Sequence, residues 1–210
     1  MNIFIKICGI TNPGDAFAAS DLGADALGFI FHRESPRYIE PEKAAAIISR
    51  LPDSVQPVGI FVNRPRADIE RIIELTGIRI VQLHGDEPPD DCLYPSVRVW
   101  KVFRPRPGSE IKVPGSYSVD AFLFDSFDET RYGGTGKTGN WDLIRKAAQQ
   151  YKVILSGGLT PDNILQAITA VQPFGVDINS GVELKPGRKD KQKLEKLFTI
   201  IHNHQDMVKE

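Results

Sequence analysis

A chain of 210 residues, 41% hydrophobic and 25% charged, has the size and composition of one sizeable globular core. A formal net charge of −1 without a long basic run does not favour nucleic acid or an acidic membrane surface as a partner. Two cysteines, Cys8 and Cys92, are too few for a disulfide framework and show no metal spacing, so a reduced, cytoplasmic setting is expected. The start, "MNIFIKICGI", lacks the basic opening and long apolar stretch of a signal peptide, and no apolar stretch is long enough to span a bilayer.

Eight short apolar runs read as strands: "IFIKIC", "ALGFIF", "PVGIFV", "RIVQLH", "VRVWKVF", "AFLFD", "VILSG" and "VDINSG". Helical stretches separate most of them. "NPGDAFAASDLG" puts Ala16, Ala19 and Leu22 near one face, and "PEKAAAIISRL" opens on Pro41, a good first helical residue. "RADIERIIELTG" places Ile69, Ile72, Ile73 and Leu75 near one stripe and stops at Gly77. "GDEPPDDCLYPS" and "PRPGSEIKVPGSYS" are expected to form short or irregular helices. "TPDNILQAITAV" opens with Thr160 as N-cap before Pro161, and a last helix runs from about Asp190 to His204. Such alternation means parallel strands with helical crossovers. Eight strands spaced by roughly 20–30 residues predict an α/β fold, a single (β/α)8 TIM barrel filling one domain, residues 1–210. The competing open, doubly wound sheet usually needs fewer strands, and its early glycine fingerprint is absent: the first strand is followed by "CGITNPGD".

Side chains alternate along a strand. Ile3, Ile5 and Ile7 suit the layer under the helices, which turns Phe4, Lys6 and Cys8 into the lumen. By the same alternation Gln82 and His84 face inward, as do Asp125 on the sixth strand and Asp177, Asn179 and Gly181 on the eighth. Barrel closure sets the eighth strand beside the first, and a lumen pair between Lys6 and Asp177 would give a buried cation its partner. Cys8, His84 and Asp125 end three different strands at the carboxyl face, where barrel enzymes keep their sites. Each also has a structural explanation: cysteine as a small buried hydrophobe, histidine as a loop anchor, aspartate as a turn cap. Cys92, beside "PPDD", reads as a packing residue.

Glycines cluster in "SGG" (156–158) and "NSG" (179–181), after the two strands whose loops bind phosphate in many barrels. "RYGGTGKT" is not a Walker A loop, because Arg131 stands where that motif needs glycine; a phosphate-side lid with Lys137 as a charge contact is the alternative. In "HRESPRYIEP", Arg33 and Arg37 follow the second strand, where an arginine forks onto a carboxylate or forms a surface ion pair.

"KICGIT", "SPRYI", "VQLHG", "FLFD", "GGTGKT", "LSGGL", "VDINSGVE" and "PGRKD" together resemble the signatures of the phosphoribosylanthranilate isomerase family, in its order, from Lys6 to about Asp190. The resemblance implies a (β/α)8 barrel and an Amadori rearrangement in tryptophan biosynthesis. N-(5′-phosphoribosyl)anthranilate would become 1-(2-carboxyphenylamino)-1-deoxyribulose 5-phosphate, with a small sugar phosphate as the only partner and no cofactor or metal. Carried over by position, Cys8 is the general base, Asp125 the general acid, and Arg37 the residue near the anthranilate carboxylate. His84 lines the site, and Gly157, Gly158, Ser180 and Gly181 meet the phosphate. The acid role asks Asp125 for a pKa above the usual value of about 3.9, and Lys6 is expected to ease ionisation of Cys8, whose free pKa would be about 8.5. Two other readings stay open on the residues alone. One is a different sugar-phosphate isomerase or ring-closing synthase that does not need Cys8. The other is a silent phosphate-binding barrel. Whether the chain is a monomer or a homodimer is not legible in it.

Overall fold

The computed structural model describes residues 2–104, 116–125 and 141–207. Eight parallel strands close in sequence order: β1 (Phe4–Ile7), β2 (Ala26–Ile30), β3 (Gln56–Phe61), β4 (Ile80–Leu83), β5 (Arg98–Phe103), β6 (Ala121–Asp125), β7 (Val153–Ser156) and β8 (Gly175–Ile178). β8 pairs back onto β1 with Lys6 opposite Asp177, so the sheet has no edge. The expected (β/α)8 barrel is the fold that forms.

Alternation sorts the apolar residues into two cores. Ile5, Ile7, Val81, Leu83, Phe122 and Phe124 pack outward against the helices. Ala26, Val58, Ile60, Ile80, Trp100, Leu123 and Ile154 fill the interior, with Cys8 at its upper rim. The outer layer is covered by α1 (Pro13–Asp21), α2 (Pro41–Ile48), α3 (Arg66–Thr76), α4 (Trp141–Ala148), α5 (Ile164–Val171) and α6 (Lys191–Met207).

Local chemistry explains most boundaries. Asn12 caps α1 by accepting from the Asp15 N–H at 2.9 Å, and Asp190 accepts from the Gln192 N–H at 2.9 Å at the start of α6. Thr160 does receive the amide of Asp162, while Asn163 reaches back to the Thr160 N–H at 2.8 Å. This reciprocal turn delays regular helix until Ile164, later than the sequence suggested. On α3 the buried stripe is Ile69, Ile72 and Thr76; Leu75 has rotated off it and is 48% exposed. The expected irregular segment after β4 holds only a short 3-10 helix, Pro89–Cys92, with Cys92 buried and its thiol 3.3 Å from the Pro88 carbonyl. Two elements escaped the sequence reading. α4 buries Trp141, Ile144 and Ala147, and a small antiparallel hairpin follows β8: β9 (Glu183–Lys185) with β10 (Arg188–Lys189). The "RYGGTGKT" loop and Lys137 lie outside the described residues. Among the described residues no helix is long and apolar enough to cross a membrane.

The buried pair beneath the site is formed: Lys6 Nζ lies 2.8 Å from Asp177 Oδ1, with side chains 0% and 5% exposed. Replacing Lys6 with methionine strands the Asp177 charge, a loss of about 3–5 kcal/mol. Thermal denaturation should show a Tm lower by roughly 10 °C for a domain of this size. Adding Asp177→Leu to that variant should restore much of the loss; no recovery would mean the pair is not the cause.

Candidate active site

An open cavity of about 230 Å³ sits at the carboxyl ends of the strands. Cys8, Arg37, His84, Asp125, Gly157, Gly158, Ser180 and Gly181 all line it, whereas Arg33 does not. Ile30, Ile60, Gln82, Ser156, Leu159, Asp177 and Asn179 complete the lining.

Cys8 follows directly on β1, and its N–H donates to the Ile178 carbonyl at 2.9 Å, which ties it to β8. Its thiol has room because Gly28 on β2 has no side chain: a Cβ there would come within 2.9 Å of Sγ. Burial pushes the thiol pKa up, and the nearby Lys6 cation does not reverse this. Lys6 is tied to Asp177, whose negative charge works against the thiolate. Lys6 does ease ionisation of Cys8, as expected, but burial outweighs it and the net shift of the thiol is upward.

The backbone N–H of His84 donates to the Phe61 carbonyl at 2.8 Å, and the ring Nε2 lies 4.0 Å from Asp125 Oδ2. Its pKa falls to about 3, first through burial and then through the cations of Arg104, Lys6 and Lys101. The imidazole is neutral at any ordinary pH. The ring beside the Asp125 carboxyl therefore carries no positive charge of its own. Among the described residues, the buried Nε2 of His84 and Oε1 of Gln82 have no hydrogen-bond partner.

Arg37 stands on a tight turn. Its N–H donates to Ser35 Oγ at 3.2 Å, and Tyr38 N–H returns to the Ser35 carbonyl at 3.0 Å. The guanidinium meets Glu183 side-on: Nε lies 3.0 and 3.1 Å from the two carboxylate oxygens and Nη2 2.7 Å from one. Lys189, buried on β10, donates to the Asn179 carbonyl at 3.1 Å, to Asn179 Oδ1 at 3.0 Å and to Glu183 Oε1 at 3.1 Å. The sequence reading gave no role to Glu183, Lys189 or Gln82. The first two lay inside quoted stretches, "SGVE" and "PGRKD", yet nothing local says that they meet Arg37.

On the other loops, Gly158 has φ +63°, a conformation that costs a side chain about 1–2 kcal/mol. Gly181 passes so close to the next loop that an added Cβ would collide with the Leu159 carbonyl. Both backbones are thus shaped for close approach. Gly181→Ala should force the loops after β7 and β8 apart, raising KM by about tenfold, on the scale of a typical overpacking cost. Steady-state kinetics would check this; an unchanged KM would mean that these two loops do not contact the substrate. Among the described residues no group of His, Cys, Asp and Glu side chains could hold a metal ion.

A sequence model of the family described as N-(5'phosphoribosyl)anthranilate (PRA) isomerase matches residues 5–199. The N-(5'-phosphoribosyl)anthranilate isomerase of Pelobacter propionicus is 49% identical over 198 residues, covering 94% of this chain and 95% of that one. The crystal structure of phosphoribosyl anthranilate isomerase from Thermotoga maritima superposes with a TM-score of 0.84 at 36% identity, covering 96% of this chain and 99% of that one. A further such isomerase, solved with reduced 1-(o-carboxyphenylamino)-1-deoxyribulose 5-phosphate, gives a TM-score of 0.82 at 34% identity, covering 96% and 99% of the two chains.

Proposed function

Since the chain belongs to the N-(5′-phosphoribosyl)anthranilate isomerase family, enzymes of tryptophan biosynthesis, we propose a mechanism in which Asp125 is the general acid and Cys8 the general base. The observation that carries it is the meeting of a carboxyl, a thiol and an arginine with two glycine loops around one cavity.

Asp125 gives a proton to the furanose ring oxygen. The C1–O bond breaks as the anilino nitrogen shares its lone pair, leaving an iminium at C1. The iminium makes the C2 proton acidic. The Cys8 thiolate takes it, and the electron pair moves into the C1–C2 bond to give an enolamine. Tautomerisation then moves the hydroxyl proton at C2 to C1 by way of the medium and yields the ketone. Cys8 returns its proton to the medium and Asp125 regains one, so the reaction is a net isomerisation. The neutral His84 fits beside a carboxyl that must start protonated.

The two ends of the substrate are held apart. The phosphate meets the backbone of Gly157, Gly158, Ser180 and Gly181, where glycine permits the approach. Arg37 meets the anthranilate carboxylate. Side-on pairing to Glu183 engages Nε and one edge of Nη2, and the end of the fork, Nη1 with the other edge of Nη2, is the part that can read a second carboxylate.

The test is a fluorescence assay on freshly made phosphoribosylanthranilate. Loss of substrate fluorescence, slowed competitively by inorganic phosphate, is the expected outcome. No turnover would return the site to the other sugar phosphates.

A further inference from the structure

The Arg37 contacts raise a question that the reaction alone does not answer: why a residue meant to read a ligand carboxylate is already bound to a protein one. Glu183 and Lys189 are buried, with side chains 4% and 1% exposed. Burying such charges costs several kcal/mol per ion before pairing, and a pair kept only for stability is often replaceable by apolar residues of like volume. Here the ions are arranged around Arg37 and lead from it to the site wall.

Three features point the same way. First, Glu183 holds Arg37 through three short contacts of 2.7–3.1 Å on one side of the guanidinium, fixing both the direction and the roll of its plane. Second, Glu183 is itself fixed, by Lys189 Nζ at 3.1 Å and by the Gly187 N–H at 3.2 Å within the hairpin turn. Third, the same ammonium holds Asn179, which lines the cavity, at two oxygens. The hairpin is in turn pinned to α1, because the Lys189 N–H donates to Asp15 Oδ2 at 2.8 Å. Two cations thus share one carboxylate, and a second carboxylate at the open end of Arg37 would balance the cluster.

We propose that Glu183 is the positioning residue of the carboxylate subsite: anchored by Lys189, it turns the open end of Arg37 toward the ligand and so sets the preference for a carboxylate-bearing aromatic amine. The inference rests on the reading of Arg37 given above. Without Glu183 the long arginine side chain swings freely, and its ordering falls on the binding step.

The experiment compares two competitive inhibitors: the reduced carboxyphenylamino deoxyribulose phosphate, and the same compound without its carboxyl group. Glu183→Gln should weaken the first by about tenfold and leave the second within roughly twofold. KM should rise by the same factor while kcat changes little. Glu183→Asp keeps the charge but falls short of the side-on contact, so it should fold and show a smaller loss with the same selectivity. In an Arg37→Met background, Glu183→Gln should add nothing for either inhibitor. Equal weakening of both inhibitors by both Glu183 variants, or additive losses in the double variant, would reduce Glu183 to a fold contact and overturn the proposal. Arg37→Met alone separates the premise: if it affects both inhibitors equally, the carboxylate reading of Arg37 fails. If it is selective and the Glu183 variants are not, only the positioning role fails.

Discussion

Cys8→Ser should cost on the order of 10²–10⁴-fold in kcat, the range for removing a positioned general base. Serine keeps the size of the side chain and the space beside Gly28, so substrate should still bind and the inhibitor carrying both carboxylate and phosphate should keep its affinity. The hydroxyl is far too weak an acid to supply an anion near neutral pH. The direction of the pH dependence follows from burial, which holds the thiol of the free enzyme above the ordinary cysteine range. The thiolate fraction is therefore small at neutral pH and grows as pH rises, so kcat/KM should climb with pH until loss of the Asp125 proton cancels the gain. The iminium formed in the complex places a positive charge in the same cavity, which favours thiolate, so the corresponding rise in kcat should fall at lower pH than that in kcat/KM. Cys8→Ser should lose the climb altogether. A full-activity variant, or a climb with pH that survives the substitution, would remove Cys8 from the base role.

The parts of the site that strand alternation controls were legible before the fold. A period of two places Lys6 and Cys8 on the same face of β1 and Gln82 and His84 on the same face of β4, and barrel closure brings Lys6 to Asp177 without further information. What the sequence hid depends on contacts that alternation does not govern. Arg37 and Glu183 are 146 positions apart, and the hairpin that carries Glu183 and Lys189 has strands of three and two residues, too short to show a pattern. The sign of the Cys8 shift was hidden for another reason. A lysine two residues away suggests an easily ionised thiol, but depth of burial and the commitment of that lysine to Asp177 are tertiary facts. α4 had a visible signal, Trp141, Ile144 and Ala147 at helical spacing, obscured by the glycine-rich stretch before it.

Asp125→Asn should lower kcat by about 10²–10⁴-fold and leave product-analogue binding nearly intact. The amide keeps the shape at the end of β6 but has no acidic proton to give to the ring oxygen. Ring opening then becomes the slow step, and that makes the prediction separable from the loss at Cys8. With Cys8→Ser the iminium still forms and the C2–H bond is not broken, so substrate deuterated at C2 should show a primary isotope effect as large as, or larger than, that of the native enzyme. With Asp125→Asn the slow event precedes C2–H cleavage, and the isotope effect should vanish. The neutral His84 at 4.0 Å offers a further check. His84→Lys would set a cation beside the carboxyl, favour its ionised form, and move the loss of acid function to lower pH, so that activity falls on the alkaline side earlier than in the native protein. An isotope effect that persists in Asp125→Asn would mean that the carboxyl acts after ring opening, and the general acid would have to be sought elsewhere in the cavity.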